Sequence, residues 1–156
     1  MLKSFKQLAA EPGPPLKSQP ANARDVVARL QQAQVKLQDA RQTVVSPGTG
    51  MDAAWDAALL ASLAAWPAPR AGAPPADLGH HAMAFEGAAQ ASGLGQARFD
   101  ALDALRDWRN RKYRAGLVST AEEATEAVAL AEPYLADVAA WFATAYPALP
   151  KQGLAR

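Results

Sequence analysis

Residues 104 to 116 read ALRDWRNRKYRAG, the densest gathering in the chain of groups able to act on a charged ligand. Arg106, Arg109, Arg111, Lys112 and Arg114 stand there against one acid, Asp107, although the whole chain carries a formal charge of only +1. Charge this local makes either a binding patch or a solvated helix end, since the negative end of a helix dipole also favours cations. On a helix, residues three and four apart share a face, so Arg106, Arg109 or Asn110, and Tyr113 line up while Leu102, Leu105 and Trp108 face the core. Guanidinium groups grip phosphate oxygens in pairs and a phenol ring can stack on a base. The chemistry such a face suits is recognition of RNA or a nucleotide.

The other reactive residues read more blandly. His80 and His81 fall in the first turn of a helix that Asp77 can cap. There the dipole disfavours the imidazolium, and adjacent positions point about 100° apart, so one ring packs inward and the other is exposed. With no cysteine and no third histidine, no metal site and no cofactor are expected. Asp52 with Asp56, and Asp100 with Asp103, read as surface pairs near helix N-termini, where acids are favoured anyway. Trp55, Trp66, Trp108 and Trp141 lie on apolar stripes and are read as core or dimer contacts. No Gly-rich phosphate loop and no nucleophile elbow occurs.

The elements that must hold these residues are helices. Half the chain is hydrophobic, much of it alanine with few β-branched residues, which favours an all-α, close-packed fold. Residues 1–20 form a short helix and a proline-rich connector, 21–147 the bundle and 148–156 a tail. Asn22 caps a first helix whose stripe is Val26, Leu30, Ala33, Leu37, Ala40 and Val44, and SPGTG (46–50) stops it. A second helix runs from Met51 to Trp66 with Trp55, Ala58, Leu59, Ser62 and Leu63 on one face. A third ends near Ser92, and a fourth runs from about Gln96 to the stop at Gly116. Ser119 and Glu122 form an S-x-x-E capping box for a last, acidic helix reaching about Tyr146, with Pro133 as a possible kink. Its stripe is Ala124, Val128, Ala131, Leu135, Val138 and Trp141/Phe142. Short loops make this an antiparallel bundle of about five helices, the acidic helix antiparallel to the basic one. No apolar run is long enough for a signal peptide or a membrane span, so the expected setting is cytoplasmic, without membrane contact.

The order of a long Ala/Leu/Gln helix, AAWDAALLASLAAW, GHHAMAFEGAA, FDALDALRDWRNRKYRAG and STAEEATEAVALAEPYLADVAAW resembles the HEPN domains, helical nucleotide- or nucleic-acid-binding domains of prokaryotes. The resemblance spans roughly residues 22 to 142, with RNRKY (109–113) placed like the family's Arg-polar signature and GHH (79–81) seen in a subset of members. It implies a homodimer with paired signature helices, a toxin–antitoxin or defence-type system, and a small nucleotidyltransferase as protein partner. Arg109 and Asn110 match the signature, and Arg106, Tyr113, Arg114, His80 and His81 complete the candidate binding set. The family's ribonucleases carry a histidine four to six residues after that arginine, where this chain has Tyr113, Arg114 and Ala115. The resemblance therefore implies binding of RNA or a nucleotide. The alternatives are a metal-independent endoribonuclease using Arg109 and His81, and a non-catalytic interaction domain whose basic helix meets an acidic partner surface.

Overall fold

The computed structural model describes residues 23–65 and 80–148, and over 80–84 the backbone alone. The expected N-terminal helix and connector, the Asn22 and Asp77 caps, Trp66 and nearly all of the C-terminal tail lie outside the described residues. Five helices follow in order among the described residues: α1 (Ala23–Ala40), α2 (Pro47–Ala65), α3 (His80–Ser92), α4 (Gln96–Ala115) and α5 (Ala121–Ala145). Among the described residues there is no strand, and no helix is long and apolar enough to cross a membrane.

α1 buries Val26, Leu30, Ala33, Leu37 and Ala40, one stripe at helical spacing. It ends a turn earlier than its apolar pattern suggests, and Val44 is 90% exposed. Arg41 N–H donates to Gln38 O and Gln42 N–H to Asp39 O, the tightened last turn of a closing helix. The segment that follows, Thr43-Val44-Val45-Ser46-Pro47, is β-branched and precedes a proline, both unfavourable to further α backbone.

That proline opens α2. The expected stop at SPGTG is a start: Ser46 Oγ accepts from Thr49 N–H at 3.3 Å, and Ser46 O accepts from Gly50 N–H at 3.0 Å. Serine at the cap and proline at the first helical position fit a helix N-terminus, because proline's missing N–H is one the helix would leave unpaired anyway. α2 also buries more than one face. Met51, Ala53, Ala54, Trp55, Ala57, Ala58, Ala61, Ser62, Ala64 and Ala65 are all buried, since α2 touches every other helix. Small side chains on all sides let four neighbours approach one axis.

Directions follow from cross-links. Lys36 pairs with Asp56, and Arg29 Nη1 donates to Leu63 O, so α1 and α2 are antiparallel. Arg98 near the start of α4 meets Asp137 late in α5 at 2.7 Å, across the five-residue link from Gly116 to Thr120. The basic and acidic helices are thus antiparallel, but their contact is slight, and α5 packs mainly on α2. There Ser119 Oγ donates to Met51 Sδ, and Ser62 Oγ bonds Tyr134 Oη at 2.8 Å, so α2 and α5 run the same way.

α4 ends at Gly116, whose φ of 63° is left-handed and whose N–H returns to Lys112 O. The capping box of α5 is one residue later than expected: Thr120 and Glu123, not Ser119 and Glu122, exchange the two bonds. Both registers read S/T-x-x-E, and burial decides between them, because Ser119 is 7% exposed. Pro133 lies within one continuous helix. The α5 stripe omitted its largest buried side chain, Tyr134, which is wholly inaccessible.

Candidate nucleotide-phosphate site

The C-terminal half of α4 lies over the first turns of α2, and there the basic residues acquire a counter-ion. Leu102 and Leu105 are fully buried and Trp108 packs partly against the core, which turns Arg109 and Lys112 toward α2. Lys112 Nζ donates to Asp52 Oδ1 at 3.1 Å and to Gly48 O at 3.4 Å. A Cβ on residue 48 would come within 3.6 Å of that ammonium, an ordinary contact, so the approach does not depend on glycine. Tyr113 Oη donates to the other carboxylate oxygen, Asp52 Oδ2, at 2.8 Å. Arg109 Nε stands 3.8 Å from Asp52 Oδ1, close enough for an ion pair and too far for a hydrogen bond.

The rings fix the guanidinium. Arg109 Cζ lies 4.2 Å from the centroid of Trp55 and 4.9 Å from that of Tyr113, and Lys112 Nζ lies 5.0 Å from the Tyr113 centroid. Cations at such distances from aromatic faces are held by the ring quadrupole, more strongly where water is partly excluded. Arg109 Nε is buried and makes no hydrogen bond. Two cations, Arg109 and Lys112, therefore share one carboxylate, and Asp56 has its own partner in Lys36 at 3.6 Å. The cluster keeps one positive charge in excess.

The hydrogen bond to Asp52 raises the pKa of Tyr113 above the ordinary 10.0, with desolvation and the Asp52 charge acting in the same direction and Arg109 opposing them. The phenol keeps its proton at neutral pH and donates rather than accepts.

The expected face is only partly assembled. Arg109 and Tyr113 come together, but Arg106 pairs locally with Asp103 at 2.8 Å and Asp107 at 3.3 Å. Asn110 is half-buried beside them. Arg111 and Arg114 are exposed, with no ion pair among the described residues. His80 and His81 occupy the start of α3, and their side chains lie outside the described residues. α3 reaches the site through Phe85, one turn after His81, whose ring meets Trp55 edge-on at 6.2 Å. Among the described residues no group of three or more metal-ligating side chains occurs.

Asp52 and Lys112 are the residues that sequence reading left out. A start of α2 at Met51, as the sequence pattern suggests, makes Asp52 a first-turn acid favoured by the helix dipole. With the helix begun at Pro47, Asp52 stands in the second turn, beyond the reach of that explanation, and three residues before Trp55 on the same face. No family model matches the chain, and neither a curated protein nor a solved structure matches it.

Proposed function

We propose that this protein is a HEPN-like helical domain that binds RNA or a nucleotide by a phosphate group seated at Arg109, Lys112 and Tyr113. The observation that carries the reading is the unbalanced cluster, two cations and a phenol O–H converging on the single carboxylate of Asp52. These are the donors a phosphate oxygen takes, and the rings of Trp55 and Tyr113 hold the guanidinium in place before any ligand arrives. The exposed Arg111 and Arg114 add charge along the approach.

Binding is favoured over cleavage. A general base for a ribose hydroxyl must titrate near neutrality, and the positions where the family's ribonucleases have histidine hold Tyr113, a phenol whose pKa is raised, Arg114 and Ala115. In this reading the protein is a homodimer in a toxin–antitoxin or defence-type system, with a nucleotidyltransferase-type partner. The test is a salt titration of RNA binding by the wild type, Arg109→Ala and Arg111→Ala, run beside an RNA cleavage assay. Loss of about tenfold to a hundredfold from Arg109→Ala, a smaller loss from Arg111→Ala and no cleavage are expected. Equal small losses from both substitutions, or turnover of the RNA, would reject it.

A further inference from the structure

The seat is already taken by an anion of the protein's own. Asp52 accepts from Lys112 Nζ at 3.1 Å and Tyr113 Oη at 2.8 Å, and it lies 3.8 Å from Arg109 Nε. A ligand phosphate that uses Lys112 and Tyr113 must take those donors from it. The competition is intramolecular, so Asp52 acts at an effective concentration that a free ligand cannot match. A phosphodiester carries one negative charge, as Asp52 does, and gains nothing in Coulomb energy by replacing it. A terminal phosphate monoester carries about −1.5 to −2 at pH 7 and meets both cations at once. The side chains of Lys112, Arg109 and Asp52 are 11%, 25% and 30% exposed, so solvent screens that difference only in part.

Resting on the phosphate reading above, we infer that the site selects a terminal phosphate monoester, on a nucleotide or at an RNA end, over the internal phosphodiesters of the same chain. Arg109 and Lys112 set the preference, and Asp52 is the internal competitor that either phosphate must displace. On binding of the phosphate the Asp52 carboxylate turns out to water while Lys112, Tyr113 and Arg109 close on the ligand. No bond is made or broken.

The experiment measures affinity for two short oligouridylates that differ only at the 5′ end, one phosphorylated and one with a free hydroxyl, and for uridine monophosphate. The proteins are the wild type and Asp52→Asn, whose amide keeps the shape and one acceptor of the carboxylate without its charge. Wild type is expected to prefer the phosphorylated oligomer by about tenfold, the scale of one added charge beside half-screened cations. In Asp52→Asn both oligomers should gain about tenfold, because neither has a carboxylate to displace, and the preference should persist at about tenfold, because Arg109 and Lys112 remain. Binding of uridine monophosphate as tight as that of the phosphorylated oligomer assigns the site to nucleotides, and weaker binding assigns it to RNA ends; both support the inference. Equal affinity of wild type for the two oligomers overturns it and leaves phosphate binding standing, as does an Asp52→Asn variant that melts like wild type and binds both oligomers more weakly. Absence of binding by every ligand to both proteins removes the phosphate reading itself, and the inference with it.

Discussion

Tyr134 and Ser62 form a polar link buried wholly inside the α2–α5 interface, and their hydrogen bonds are arranged so that deleting the smaller group costs more. Ser62 Oγ donates to Ala58 O at 2.8 Å, so in its 2.8 Å contact with Tyr134 the serine accepts and the phenol donates. Tyr134→Phe removes the donor and leaves Ser62 still bonded to Ala58, a loss of about 0.5–1.5 kcal/mol. Ser62→Ala strands the phenol O–H in a place with no solvent, which costs roughly 1–3 kcal/mol. In a chain of this size each kcal/mol moves the melting temperature by about 2–4 °C, so a shift near 3 °C is expected for Tyr134→Phe and near 6 °C for Ser62→Ala. The double variant leaves no orphan and should resemble Tyr134→Phe alone, a coupling of about 1–2 kcal/mol. Urea denaturation at pH 7, read as midpoint changes at constant slope, measures all three. A Tyr134→Phe cost equal to that of Ser62→Ala, or simple additivity in the double variant, would refute the donor assignment.

The caps and the tyrosines give further checks. Thr120→Ala should lower stability by about 1 kcal/mol and Ser119→Ala by less, since the weak O–H···S contact of Ser119 is no cap; the reverse ranking in thermal melts would restore the earlier register. Gly116→Ala should cost about 1 kcal/mol and Gly116→Asn less, because only the left-handed φ of 63° resists a side chain there and no atom lies within 4 Å of the added Cβ. In an alkaline spectroscopic titration Tyr113 should ionise above the ordinary 10.0, and Asp52→Asn should bring it down; an unchanged Tyr113 would remove the hydrogen bond to Asp52 from the account. Burial holds Tyr134 far higher, so its ionisation should coincide with unfolding. Both phenols are raised, so the stability they add is complete below about pH 10 and is lost as the pH climbs through their folded values.

Helix count and order were legible because amphipathic spacing is a local signal: Val26 to Ala40 on α1 and Leu102 with Leu105 on α4 are buried as their periodicity predicts. α2 resisted that reading because a central helix keeps only a narrow polar edge, here Asp52 and Asp56, too small to set a period against. Tyr134 sits on the edge of its stripe, where a phenol looks like a surface residue until Ser62 arrives from another helix. The cluster around Asp52 was hidden for the same reason: Arg109, Lys112 and Tyr113 announce themselves within five residues, while their counter-ion is some sixty positions away. What a basic helix does depends on what it packs against, and the end of α4 packs against an acid.

The most direct test of the central claim watches Arg109 itself. Its Nε–H is buried, unbonded and 3.8 Å from Asp52, so its NMR resonance should be resolved from those of the exposed arginines. Titrating uridine monophosphate into the 15N-labelled protein should move the Arg109 Nε–H resonance downfield in a saturable way, with the Tyr113 ring signals following and Arg106 little changed. Saturable shifts centred on Arg106 or Arg114 with Arg109 unmoved, or no shift at any arginine with either uridine monophosphate or the 5′-phosphorylated oligouridylate, would contradict it.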